Sequence, residues 1–201
     1  MSWNRLLCLF FAVLIAALGL SKGTSADEVE AGFTSLFNGK NLDGWHVMNS
    51  CKFAAVDGVL KGDGGNGWLR SDKEYGDFVL RLEVRWLKPK QDSGVFLRAG
   101  KEGKNWPDSK YEVQAENTQR IVQIFGANCK RDAEKALKLL KPEKEWNTLE
   151  IKCQGTKCEV KLNGELAASA DDLKTARGYL GFQGEGGQLE WRKIRIQELK
   201  S

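Results

Sequence analysis

The chain has 201 residues, is 41% hydrophobic and 29% charged, and carries a formal net charge of +4, or +2 without Arg5 and Lys22. That length and composition fit one globular domain. The weak charge, with Asp and Glu interleaved among Lys and Arg, excludes a nucleic-acid-binding surface as the organising feature.

The first segment reads as a targeting signal. Arg5 precedes the apolar run LLCLFFAVLIAALGL, and Thr24-Ser25-Ala26 offers small residues for cleavage. The run is too short to span a bilayer and right for a signal-peptide core. Residues 1–26 are therefore expected to be a cleaved leader, and residues 27–201 a single exported domain, secreted or periplasmic. No later stretch is apolar enough for membrane insertion.

The remainder reads as short strands divided by turns. FTSLF, KFAAV, GVLKG, GWLRS, DFVLRLEVRWL, SGVFLRAG, KYEVQAE, RIVQIFG, WNTLEIKC, CEVKLNG, ELAAS, RGYLGFQ and LEWRKIRIQEL follow one another. Asn38-Gly39, Asp57-Gly58 and Asn163-Gly164 are turn dipeptides, and the last two sit where hairpins need them. Frequent glycines and few prolines point to an all-β sandwich or barrel. One stretch, KRDAEKALKLLKPEKE, has helical spacing of Ala133, Ala136, Leu137 and Leu140 before Pro142, and predicts one short helix over a sheet edge.

Four cysteines remain beyond the leader. Cys153 and Cys158 flank QGTK between two strand-like runs, so a hairpin would set them opposite each other. The expected disulfides are Cys153–Cys158 and Cys51–Cys129, although four cysteines permit three pairings. His46 is the only histidine and lies far from the cysteines, so no metal site and no cofactor are expected.

The stretch Asp77–Gly100, DFVLRLEVRWLKPKQDSGVFLRAG, alternates strictly. One face carries Phe78, Leu80, Leu82, Val84 and Trp86, and the other carries Arg81, Glu83 and Arg85. If SGVFLRAG returns antiparallel beside it, Arg98 joins the polar face. KYEVQAE places Tyr111, Val113 and Ala115 inward and Glu112 and Gln114 outward. Three neighbouring strands would then gather Arg81, Glu83, Arg85, Arg98, Glu112 and Gln114 on one surface. Carboxylates, guanidinium forks and an amide suit a polyhydroxylated ligand, while the bland reading is a solvated sheet face. Trp106, in the loop GKNWPDS, is a candidate sugar-stacking ring or a lid on the core edge.

The ordered set SLFNGKNLDGWH, VDGVLKGDGG, EYGDFVLRLEVRW, DSGVFLRAG, YEVQ, EWNTLEIKCQG, LNGEL and RGYLGFQGEGGQLEWRKIRIQEL resembles the 3-keto-disaccharide hydrolase domain family. The resemblance covers about Thr34 to Leu199. It implies a concanavalin A-like jelly roll, two antiparallel sheets in a sandwich with a concave face. It also implies cleavage of 3-keto-glycosides or 3-keto-disaccharides by carboxylate acid/base chemistry. Glu83, Arg98 and Glu112 fall at motif positions and would supply acid, base and a positive group, in an unassigned order. Arg85, Asp92, Gln114 and Trp106 would contact the carbohydrate. The sequence departs from the family pattern at Asp92-Ser93-Gly94, where related chains often read Asn-Ser-Gly. The alternative is a non-catalytic, lectin-like carbohydrate-binding module on the same fold.

Overall fold

The computed structural model describes residues 29–200. The expected leader, including Cys8, lies outside the described residues. In chain order the elements are β1 (Thr34–Ser35), β2 (Trp45–Asn49), β3 (Phe53–Val56), β4 (Val59–Asp63), β5 (Gly67–Tyr75), β6 (Phe78–Trp86), β7 (Gly94–Ala99) and β8 (Tyr111–Gln114). There follow β9 (Ile124–Phe125), β10 (Lys130–Arg131), α1 (Ala133–Lys138), β11 (Asn147–Gln154), β12 (Lys157–Leu162), β13 (Glu165–Ala170), β14 (Gly178–Gly184) and β15 (Gln188–Glu198).

These strands build two antiparallel sheets. The nine-stranded sheet runs β10-β13-β12-β11-β6-β15-β4-β3, with β1 beside β15, and the six-stranded sheet runs β2-β5-β14-β7-β8-β9. Their inner faces meet in one core that includes Leu80, Leu82, Trp86, Leu149, Ile151 and Trp191 from the larger sheet. Leu69, Val95, Leu97, Val113, Leu180 and Phe182 come from the smaller one. The expected jelly-roll sandwich with one short helix is the fold observed.

The hairpins form where the turn dipeptides stand. Asp57 (φ 52°) and Gly58 (φ 78°) join β3 to β4, and Asn163 (φ 51°) and Gly164 (φ 91°) join β12 to β13. Both central residues take positive φ, as a two-residue turn matched to strand twist requires. α1 starts on Asp132, whose side chain accepts from the Lys135 amide. It ends earlier than its apolar spacing suggests, burying Ala136 but leaving Leu137 exposed.

One expected pairing is corrected. β6 and β7 are not neighbours: β6 lies between β11 and β15, and β7 lies between β14 and β8 in the opposite sheet. The connection at residues 87–93 is too long for a tight hairpin. It is held to the loop after β8, where the Asn117 side chain accepts from the Gln91 amide and donates to the Lys88 carbonyl. The chain thus crosses the sandwich edge instead of folding back on its own sheet. The alternation read in β6 survives, but its polar side is the outer face of the nine-stranded sheet.

The cysteines divide in the same way. Cys153 and Cys158 are cross-strand partners, their Sγ atoms 3.1 Å apart as thiols. Cys51 lies against Gly184 of β14, whereas the Cys129 Sγ accepts from the Ile124 amide of β9. Three strand intervals separate β14 from β9, about 14 Å at strand spacing. A disulfide needs Cα atoms within roughly 7 Å, so the geometry does not accommodate Cys51–Cys129.

Candidate active site on the outer face of the six-stranded sheet

Side chains that alternate away from the core on β5, β14, β7 and β8 share one outer face. Strand register arranges them in rows. Arg70, Gly181, Phe96, Glu112 and Phe125 follow one another across five strands, and Trp68 and Gln183 pair in the adjacent row with Gly94 and Gln114. A small apolar cluster of Trp68, Phe96 and Ala99 lies on this face, packed under Met48, Trp106 and Tyr179. Trp106 comes from the β7–β8 loop, which reaches across the sheet and is tied to the far edge by a 2.6 Å hydrogen bond from Asn49 to the Asn105 carbonyl.

Two strand glycines set the floor. A Cβ on Gly181 would run into the Trp68 ring, and a Cβ on Gly94 would run into the Glu112 carboxylate. Both side chains therefore lie flat over bare backbone. Glu112 is only 7% exposed, and its Oε1 has no hydrogen-bond partner. Burial raises its pKa to about 7; the Lys110 ammonium opposes this, while Asp92 and Glu185 push further up. Lys110 also sits 5.3 Å from the centre of the Phe96 ring and donates to the Pro107 carbonyl of the overlying loop.

Asp92 lies at the margin of the same site. Its Oδ1 accepts from Gln114 Nε2 at 2.5 Å and its Oδ2 from Arg120 at 3.0 Å. Burial, then Glu116 and Glu185, raise its pKa to about 6 against the pull of Arg120. Arg120 is shared with Glu116 at 2.5 Å. Two carboxyl groups with shifted proton affinity, a neighbouring cation and amide groups can move protons near neutrality and hold hydroxyls.

Glu112, Asp92, Gln114 and Trp106 thus come together on one face. Glu83, Arg85 and Arg98 do not join them. Glu83 lies on the outer face of the other sheet, 2.6 Å from Arg192 and 3.3 Å from Lys193. Arg85 is on that face too, bonded to Glu190 at 2.5 Å, and with Arg192 it brackets the Trp146 ring at 4.5 and 4.1 Å. Trp146 is half-buried there.

Arg98 is withdrawn by a bulge. It has φ 46°, and the register between β14 and β7 shifts at this point. The extra residue restores Ala99 to the outer face and turns Arg98 into the end of the sandwich. There it is 1% exposed and donates to the carbonyls of Gly76, Gly155 and Thr175 and to Asp77 Oδ1, at 2.7–3.0 Å. Its donors clamp the β5–β6 and β11–β12 turns, which is a structural role.

Sequence reasoning missed Lys110, Arg70, Gln183 and Tyr179. Each lies two residues from an outward neighbour along its strand or strand end, but only strand order shows that β5, β14, β7 and β8 are adjacent. Among the described residues, no three His, Cys, Asp or Glu side chains come together as a metal site, and no helix is long and apolar enough to cross a membrane.

The architecture is that of the galectin-like and carbohydrate-binding-module sandwiches, with a buried acid and an apolar floor on its smaller sheet. The chain belongs to the 3-keto-alpha-glucoside-1,2-lyase-like domain family, whose model matches residues 32–197. Its fold is similar to a putative glycosyl hydrolase from Parabacteroides distasonis ATCC 8503, at 20% identity and TM-score 0.71, covering 84% of this chain and 94% of that one. A second putative glycosyl hydrolase from the same organism matches at 24% identity and TM-score 0.67, over 83% and 99% of the two chains. The carbohydrate-binding module CBM66 from Bacillus subtilis is 12% identical with TM-score 0.60, over 77% and 96%. No curated protein matches the chain.

Proposed function

We propose that the protein cleaves glycosides oxidised to a ketone at sugar C3, with Glu112 as the proton-transfer group. The observation that supports this reading most is a carboxyl buried on an outer sheet face, with one oxygen unpartnered and its pKa raised to about 7. An acid so poised serves as base and acid in turn.

A C3 ketone acidifies the C2 hydrogen. Ionised Glu112 would take that proton, and the C2–H electron pair would become the enolate of C2, C3 and the ketone oxygen. Collapse of the enolate expels the C1 substituent, whose oxygen receives the proton from Glu112. The enone left behind adds water across C1 and C2, giving net hydrolysis to the 3-keto sugar and the free alcohol. Lys110, the cation acting most strongly on Glu112, takes the role of enolate stabiliser that sequence reasoning gave to Arg98. Asp92 and Gln114, already bonded to each other, orient ring hydroxyls.

The experiment is release of the alcohol from a 3-keto-glucoside by the purified protein. Glu112→Gln should lower the rate at least ~100-fold, the usual scale of a lost acid/base group. Unchanged turnover in Glu112→Gln refutes the assignment. Binding without cleavage by the native protein would favour the lectin-like reading instead. Export belongs to the same proposal, and amino-terminal sequencing of the mature protein should begin near Asp27.

A further inference from the structure

Among the described residues, four buried side-chain polar atoms lack a hydrogen-bond partner: Arg70 Nε, Glu112 Oε1, Gln183 Oε1 and Trp191 Nε1. The first three lie on the outer face of the six-stranded sheet. Glu112 is explained by proton transfer. Arg70 is not, and its situation is the more demanding one. It is 7% exposed, and its side chain makes no hydrogen bond and no ion pair with any described residue. Its guanidinium carbon lies 4.4 Å from the centre of the Tyr179 ring.

A buried guanidinium is ordinarily paired, because its charge has lost water and needs an acceptor. Among the described residues, the other deeply buried charges apart from Glu112 follow that rule: Arg98 donates four hydrogen bonds, and Glu190 and Glu116 are ion-paired. The carboxylate two residues along the strand from Arg70, Asp72, is committed to His46 at 2.6 Å. The stacked Tyr179 ring fixes the guanidinium plane but offers no acceptor lone pair to its N–H fork. Access exists from the rim. His46 is the cross-strand partner of Arg70 and its side chain is 54% exposed.

We propose that Arg70 is the anchor of an anion subsite, and that the natural ligand is a glycoside bearing a carboxylate. A carboxylate matches the guanidinium fork with two parallel hydrogen bonds. Gln183, one row away with a free acceptor oxygen, is placed to take a hydroxyl donor beside it. Arg70 and Glu112 are three strand intervals apart, about 14 Å between Cα atoms. The Arg70 side chain extends over the Tyr179 ring of the neighbouring strand, so part of that span is bridged before a ligand is bound. This substrate class rests on the reading of Glu112 given above.

The test is titration calorimetry of the native protein with methyl glucuronide and methyl glucoside, at low and at high salt. The glucuronide should bind at least ~10-fold tighter, the preference should shrink with salt, and Arg70→Gln should abolish it while Arg70→Lys keeps part. Equal affinity for the two sugars, a preference indifferent to salt, or an undiminished preference in Arg70→Gln overturns the proposal. The comparison of two ligands on the native chain needs no variant, so misfolding of Arg70→Gln cannot disguise the result. Glu112→Gln separates the two readings. Loss of turnover without a glucuronide preference removes the anion subsite alone. A preference retained with turnover unchanged in Glu112→Gln removes the Glu112 chemistry and leaves the subsite standing.

Discussion

Replacing Glu112 by Gln should change how stability depends on pH. The folded carboxyl has a pKa of about 7 against an ordinary 4.5. The folded state therefore keeps its proton over a range where the unfolded chain has lost it. Where the folded state binds more protons, stability falls as pH rises. The favourable contribution is fully present below the unfolded value of 4.5 and is gone once pH passes about 7. The difference of two and a half pH units corresponds to about 3 kcal/mol at 1.36 kcal/mol per unit. Gln has the size of the protonated acid and never ionises. The variant should match the native protein near pH 4.5 and exceed it by about 3 kcal/mol at pH 8. For a chain of this length that is a rise of roughly 6–12 °C in midpoint at the higher pH. Urea unfolding of both proteins at the two pH values measures the difference. Curves displaced by the same amount at both values would refute the argument, because a pH-independent effect cannot come from a titrating carboxyl.

Four further outcomes follow from the geometry. Gly94→Ala should push the Glu112 carboxylate off its floor toward water, lowering turnover about 10-fold or more and moving the corresponding limb of the pH–rate profile toward acid; an unmoved profile would show that the glycine does not hold the acid. Arg98→Met should cost about 3–5 kcal/mol in chemical denaturation by stranding Asp77 and three carbonyls. Glu83→Gln should cost at most about 1 kcal/mol and leave turnover intact, so similar losses for the two variants would contradict the roles given to them. Peptide mass spectrometry without reductant, on protein made under oxidising conditions, should find Cys153 joined to Cys158 and Cys51 and Cys129 as thiols; a Cys51–Cys129 peptide would contradict the strand order.

Local patterns survived folding because each depends on a few neighbouring residues. The inward set of β6, Phe78 to Trp86, is buried at every second position, as a period of two requires. The turn dipeptides place their hairpins, and Cys153 faces Cys158, because a two-residue connection leaves no other register. Glu112 and Gln114 face outward for the same reason. What failed was the pairing of β6 with β7, and with it the placing of Glu83 and Arg85 beside Glu112. β6 and β7 carry the same alternation whether they pair or face each other across a core, and nothing in residues 87–93 distinguishes a wide hairpin from a crossing.

Arg98 shows a second limit. Simple alternation would put it beside Phe96 and Gly94, on the face with Glu112, and one residue in the left-handed region moves it to the end of the sandwich. Arginine has no intrinsic preference for that conformation. The bulge persists because the turned side chain finds four acceptors contributed by Gly76, Asp77, Gly155 and Thr175, from three separate parts of the chain. The same displacement leaves the outer face without the cation that the motif seemed to provide. Lys110, at the end of the overlying loop, and Arg70, from a strand far earlier in the sequence, are the cations left on the sheet itself, with Arg120 at its margin. Lys110 is set beside the acid and Arg70 reaches in from β5, so a ligand that meets both presents polar groups at two places along the sheet face.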